Sequence, residues 1–341
     1  MKEIETKDYK IIEFNTLIVG SGAAGLNCAL HLEEEGVNPD EIAIVTEKLG
    51  GGTSFNAGSD KQTYYKLSIT GDQKDSPFEM AKDLNKGGAM HGNIALIEAT
   101  NSVREFIHLV NLGVPFPFDQ YGGFVGYKTD KDPRQRATSI GPLTSQVICR
   151  QLLNSIQEKG IIIYDKHYVV KIIVDNEGSC SNVKGLLTIK KDDLIQRRKL
   201  QNIMDSIRIF KAQNIVIAVG GPAAIYKHSV YPESQWGGLG LAIQASCKLQ
   251  NLTESQFGLA SKKFRWNVSG SYQQVIPRYV SINKQSEKSE FLDQYFPTFQ
   301  LLSKAIFLKG YQWPFDVGKI ENFGSSLIDL AVYYETEILG N

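Results

Sequence analysis

Gly20-Ser21-Gly22-Ala23-Ala24-Gly25 follows the spacing G-x-G-x-x-G, in which each glycine has its own task in gripping a pyrophosphate. Gly20 permits a tight turn out of a strand, Gly22 lets the backbone approach phosphate oxygens, and Gly25 lets a helix pack closely on that strand. The free N–H groups and positive end of the helix that follows then meet the phosphate charge. Twenty-two residues past Gly25 stands Glu47, a carboxylate placed to accept both hydroxyls of an adenosine ribose. Its charge would repel a 2′-phosphorylated nucleotide. Turn and acid together do not separate NAD from FAD. The segment Gly50-Gly-Gly52-Thr53-Ser54-Phe-Asn-Ala57-Gly58 makes that separation: a flexible, hydroxyl-rich loop directly after the acid and Lys48 can wrap the flavin half of the larger nucleotide.

Such residues need a β-α-β frame. Residues 14–19 read as a short strand running into the glycine turn. Residues 23–36 read as a helix, with Leu26, Ala29, Leu30 and Leu32 on one side, Glu33 to Glu35 toward water and Gly36 as its stop. Residues 42–45 are a second apolar strand of the kind buried in a parallel sheet. Farther on, 50–77 reads as an ordered loop region. A strong amphipathic helix is expected over 94–112 (Ile94, Ile97, Val103, Phe106, Ile107, Val110) and another over 145–156, with strand-like runs at 161–164, 168–174 and 183–190 and a turn at 176–178. The basic stretch 190–211 reads as a solvated loop and strand. Residues 215–219 form a buried strand ending in Gly220-Gly221, and 239–249 a short helix. From 264 to 323 the pattern assigns no element.

Composition limits the classes of function. The 341 residues suffice for roughly two domains. Lys plus Arg and Asp plus Glu both number 37, so nothing suggests a basic nucleic-acid surface. The four cysteines lie far apart without a C-x-x-C pair. Cys28 and Cys247 sit in apolar helical patterns where a free thiol packs as a small hydrophobe, and a reducing cytoplasmic location is the expectation. No apolar run approaches the ~20 residues of a membrane helix.

At this point the residues carry a family likeness. Thr16-Leu-Ile-Val-Gly-Ser-Gly-Ala-Ala-Gly-Leu26, then Val45-Thr-Glu-Lys48, then Gly-Gly-Thr-Ser with an Ala-Gly-Ser tail, resembles the flavoprotein subunits of fumarate reductase and succinate dehydrogenase and L-aspartate oxidase. Three later blocks resemble the same family in order: Gly113-Val-Pro-Phe116 with Gly122-Gly-Phe124, Asn214 to Gly221, and Gly237-Gly-Leu-Gly-Leu-Ala242 with Glu254-Ser-Gln-Phe257. The resemblance implies an α/β fold: a Rossmann-type FAD-binding domain with a parallel sheet over 1–257, and the start of a second α+β capping domain over 258–341. It implies FAD held by Gly20, Ser21, Gly22, Ala23, Ala24, Gly25, Glu47, Lys48, Gly52, Thr53, Ser54, Ala57, Gly58, Val169, Ala218, Gly220 and Gly221. It further implies an oxidoreductase acting on a C–C or C–N bond of a small, carboxylate-bearing substrate, with an electron-donor protein as partner.

Departures from the family pattern matter as much. Respiratory members bond a loop histidine covalently to the flavin. Here Thr53 or its neighbour takes that place, with no histidine between His31 and His91, so non-covalent FAD is expected. After Gln256-Phe257 the family's His-Pro-Thr is replaced by Gly258-Leu-Ala-Ser261, which removes one carboxylate anchor. For the family's proton-donating arginine, Arg278 is the first choice and Arg265 the second, each with a surface ion pair as the bland alternative. After Gly240 no second Gly-rich strand-to-helix turn follows. Gly324-Ser-Ser326 opens an apolar helix over 327–339 without a strand before it. The expectation is a chain lacking part of its flavin site: a fragment, a split protein whose other half is a separate chain, or a member with an abbreviated flavin site. Two rival readings stay open: a flavin-binding or electron-transfer protein without substrate turnover, and an ordinary NAD-binding module.

Overall fold

A computed structural model describes residues 2–5, 10–59, 62–70, 74–129, 132–177, 180–196, 206–232, 235, 237–252 and 255–341. The chain divides into two compact units. One comprises Met1–Ala57, Glu105–Pro115 and Thr144–Gln250, the other Gly58–Arg104, Phe116–Leu143 and Asn251–Asn341. The units interleave along the chain, where the sequence reading draws one cut after Phe257.

The first unit is built on a four-stranded parallel sheet in the order Asn214–Ile217, Thr16–Val19, Ile42–Val45, Ile162–Tyr164. Ile18 lies opposite Ile44 on one side and Val216 on the other. Every residue of Thr16–Val19 and Ile42–Val45 is buried, the continuous apolar run that a parallel sheet covered on both faces requires. The helix Ala23–Glu34 connects those strands and buries Gly25, Leu26, Ala29 and Leu30. Val37 N–H donates to Leu32 O at 2.9 Å just beyond its end, closing the last turn.

A five-stranded sheet completes this unit, ordered Lys2–Glu5, Lys10–Glu13, Ile207–Lys211, Cys180–Lys190, His167–Glu177. Ile12, Phe14, Leu17, Val45, Ile172, Leu186 and Phe210 form its apolar core. The basic stretch supplies the short helix Lys191–Gln196 and the strand Ile207–Lys211; residues 197–205 lie outside the described residues. Cys149 is buried, Cys28 partly buried and Cys247 exposed. The expectation for Cys247 is corrected: the helix Leu239–Gln244 stops short of it, so no apolar stripe encloses the thiol.

In the second unit, the helix Pro77–Asn85 starts on Ser76, whose Oγ accepts from Glu79 N–H at 3.2 Å. Arg136 is fully buried and forks onto Asp75 through Nε (2.8 Å) and Nη2 (2.7 Å), with Nη1 at 2.8 Å from Asp83. Burial opposes ionisation of Asp75. Hydrogen bonds from Arg136, Ser68 and Ser76 outweigh it and hold the carboxyl below the usual range. Beyond 264 the sequence pattern assigns only the apolar helix over 327–339, which is found as Ser326–Tyr333 continued by a π-helical turn over Tyr334–Ile338. With the unassigned helix Phe299–Lys309 it encloses Phe291, Leu292, Phe296, Leu302, Ala305, Ile306, Ile328 and Ala331.

The long helix Gly92–Asn111 is present, but its buried stripe is Ala95, Ala99, Ser102, Phe106 and Leu109. Ile94, Ile97 and Ile107 are exposed, a correction to the face read from sequence. Among the described residues, no helix is long and apolar enough to cross a membrane.

Candidate dinucleotide site

The first unit gathers Gly20 to Gly25, Glu47, Lys48, Gly52 to Ala57, Val169, Ala218, Gly220 and Gly221. Gly58, Arg265 and Arg278 belong to the second. Gly20 has φ +107°, and a Cβ there would stand 2.4 Å from Ala218 O. A Cβ on Gly25 would stand 2.1 Å from Gly20 O. Both positions therefore exclude side chains for reasons internal to the fold. Gly22 is different: its backbone is extended, and the nearest atom to a Cβ would be Ser54 Oγ at 3.3 Å. The space above Gly22 is what a bound group would need.

The helix Ala23–Glu34 opens with no side-chain cap and no acid in its first turn. One long contact, Ala23 N–H to Ser54 Oγ at 3.3 Å, touches that end. An uncapped positive helix end beside a side-chain-free turn fits a pyrophosphate. Ser21 is buried and its hydroxyl lies 3.0 Å from that of Thr46, tying the glycine turn to the end of the second strand. Glu47 follows at once, partly exposed, with Lys191 Nζ 3.5 Å away. Lys191 was not anticipated; it sits 144 residues away in the basic stretch.

The hydroxyl-rich loop is held from several sides. Leu49 N–H donates to Asp165 Oδ1 at 2.7 Å, and Asn56 Nδ2 donates to Gly50 O at 2.6 Å and Gly52 O at 3.1 Å. Ser54 also hydrogen-bonds Cys149, whose thiol is pushed up to about 12, chiefly by burial. Thr53 Oγ1 donates to Gln235 Oε1 at 2.8 Å, and Gln235 Nε2 donates to Gly221 O (3.1 Å) and Val219 O (3.3 Å). Gln235 is buried and thus bolts the loop to the Gly220-Gly221 turn. A Cβ on Gly220 would collide with its amide at 2.1 Å. No motif marks Gln235, because its role depends on partners 14 and 182 residues away. Val169 pairs with Thr188 and packs against the apolar core. Ala218 N–H donates to Val19 O at 2.8 Å. Glu254 of the downstream block lies outside the described residues.

In the second unit, Gly58 O accepts from Asn267 N–H at 2.7 Å. Arg278 is exposed and ion-paired with Glu290. Arg265 is half-buried. Ser261 Oγ accepts from Phe264 N–H at 3.2 Å, serving a local turn. A cavity of about 240 Å³ in this unit is lined in part by Ser59, Thr63, Tyr127, Lys128, Asn267 and Trp313.

Comparison with known proteins places this geometry. Residues 15–271 match the model of the family described as FAD binding domain. A succinate dehydrogenase flavoprotein subunit of Rickettsia bellii is 25% identical over 274 residues, covering 74% of this chain and 41% of the relative. L-aspartate oxidase 1 of Ralstonia nicotianae is 22% identical over 256 residues, covering 72% and 44%. The open conformation of a flavocytochrome c3 fumarate reductase shares the fold with TM-score 0.65 at 19% identity, covering 87% of this chain and 51% of that one. The chain thus spans about two-fifths of the length of the curated relatives it matches.

Proposed function

The chain belongs to the FAD-binding domain family, and on that premise we propose that it is an FAD-dependent oxidoreductase acting on a C–C or C–N bond of a small carboxylate-bearing substrate, with FAD held non-covalently. One observation carries the reading: the uncapped end of Ala23–Glu34 faces a turn in which Gly20 and Gly25 are sterically required and Gly22 leaves space above the backbone, with Glu47 directly beyond the adjacent strand. In this reading the backbone of Gly20 to Gly25 holds the pyrophosphate, and Glu47 accepts the adenosine ribose hydroxyls. The loop Gly52 to Gly58, with Lys48, Val169, Ala218, Gly220 and Gly221, forms the flavin side. Bound flavin supplies a hydride acceptor and donor that no side chain offers. Gln235 keeps the two flavin-side segments in register, and the buried Ser21–Thr46 pair fixes the glycine turn against the strand that delivers Glu47.

The substrate class follows from the relatives named for succinate, fumarate and L-aspartate. The replacement of the family's His-Pro-Thr by Gly258-Leu-Ala-Ser261 argues that this substrate's carboxylate is gripped differently. Arg278, then Arg265, is proposed for that side, since a guanidinium fork suits a carboxylate. An electron-donor protein and a further polypeptide segment or chain are the proposed partners. A second reading, FAD binding without turnover, is favoured by the exposed Arg278–Glu290 pair.

The purified protein should show a flavin absorption spectrum, and acid or urea should release the chromophore, because the 50–58 loop lacks histidine. A colourless preparation that binds no added FAD overturns the cofactor assignment. Reduction of a panel of unsaturated acids by a reduced dye separates the two readings: turnover supports the first, its absence with FAD bound the second.

A further inference from the structure

We propose that His31, Glu34 and His108 form a binding site for one divalent transition-metal ion of the zinc class. His31 and Glu34 stand three residues apart on the helix Ala23–Glu34 and so share a face. His108 comes from the last turn of the helix Gly92–Asn111. One donor atom from each lies within 4.8 Å of the others. His31 Nδ1 is 2.8 Å from Glu34 Oε2, His108 Nδ1 is 3.6 Å from Glu34 Oε1, and the two imidazoles face each other with centroids 4.6 Å apart.

The other ring nitrogen of His31 gives the site its direction. Nε2 lies 2.7 Å from Glu105 Oε2, and Asn27 Nδ2 donates to that same oxygen at 3.2 Å. With hydrogen on Nε2, Glu105 takes the part that outer carboxylates take toward metal-binding histidines. The lone pair of Nδ1 then points at a carboxylate oxygen 2.8 Å away. Lone pair against anion repels, so a cation must mediate: a proton or a metal ion. A proton serves His31 alone. A metal ion serves both imidazoles and Glu34, and its two charges cancel those of Glu34 and Glu105.

Two imidazoles and one carboxylate are the ligand types of zinc, cobalt(II) and nickel(II) rather than of magnesium or calcium, which take oxygen ligands. Zinc bonds of about 2.0–2.1 Å put tetrahedral ligands roughly 3.3 Å apart. Turning the exposed Glu34 and the His108 ring brings the present separations of 2.8 and 3.6 Å to that value. Water fills the fourth position. The ion would clamp the helix that follows the glycine turn to the end of the long helix, a positioning role within the first unit.

The test uses the full chain, stripped with chelator and titrated calorimetrically with Zn²⁺, with Co²⁺ as a visible probe. One equivalent should bind, and Co²⁺ should give the absorption of a four- or five-coordinate nitrogen-ligated ion. His108→Ala should weaken binding at least tenfold. Glu105→Gln, which keeps shape and touches only the outer contact, should weaken it by about ten- to a hundredfold. Native circular dichroism of each variant establishes that it folds. A wild type that binds no Zn²⁺ at micromolar concentration overturns the proposal. So does full affinity in the His31→Ala/His108→Ala double variant, which would put the ion on a thiol such as the exposed Cys247.

Discussion

Around Gly20 the backbone just beyond the strand Asn214–Ile217 comes so close that a Cβ would lie 2.4 Å from Ala218 O. Around Arg278 the guanidinium is 77% exposed and meets Glu290 at the surface. These two regions, the proposed nucleotide grip and the proposed substrate side, are made of different material. The grip consists of backbone amides, close strand-to-helix approach and a buried glutamine bolt, and at Gly20 and Gly25 no side chain fits without moving the backbone packed against it. The substrate side consists of long side chains on irregular segments, where one residue can replace another at little cost to the fold. The grip therefore restricts residue type far more than the substrate side does.

The largest effect expected from breaking this contrast is at Gly25. Gly25→Val drives Cβ into Gly20 O, and a clash against backbone in a tightly packed layer should cost about 3 kcal/mol or more. Urea unfolding should show a much earlier midpoint, and FAD content should fall with it. Gly22→Val separates fold from ligand. With Ser54 Oγ as the nearest neighbour, the unfolding midpoint should stay near wild type while FAD content drops to near zero. Full FAD in folded Gly22→Val would remove the turn from the nucleotide site.

Next comes the bolt. Gln235→Leu leaves the Thr53 hydroxyl and the Gly221 carbonyl without their partner, a loss of about 1–3 kcal/mol. FAD should dissociate faster, measured by dilution and fluorescence recovery. An unchanged off-rate would show that the two loops keep register without it.

A smaller effect is set by pH. Burial first, then nearby Lys190 and Arg208, push the His167 imidazole below its ordinary 6.5, against the hydrogen bond it makes to Asp165 O. The unfolded chain therefore binds more protons between 6.5 and the lowered folded value, so stability rises with pH across that window. It is fully present above 6.5 and lost as pH falls. His167→Gln should flatten the lower part of the stability–pH curve, and an unaltered curve would take His167 out of the account. The smallest effect belongs to Arg278→Ala: an exposed ion pair contributes about 0–1 kcal/mol, so stability and FAD content should hold. If dye-linked reduction falls more than tenfold at the same time, Arg278 belongs to the substrate side; an unchanged rate removes it.

The sequence by itself determined the β-α-β frame, the glycine turn and Glu47, because a backbone that must approach phosphate or another strand tolerates few residue types and a local spacing records it. The strands Thr16–Val19 and Ile42–Val45 were legible for the same kind of reason: both faces are buried, so every position is apolar or small. Only the tertiary structure decided which side of Gly92–Asn111 faces inward. Its isoleucines are periodic, yet Ala95 and Ala99 are buried because small residues let neighbouring elements come close. The helix Phe299–Lys309 escaped the periodic pattern because apolar residues surround it, with Phe299 78% exposed. Gln235, Lys191 opposite Glu47, and the meeting of His31 with His108 were likewise beyond local reading. Each is a contact between side chains far apart in sequence, and only the closing of the sheet and the packing of its helices brings them within reach.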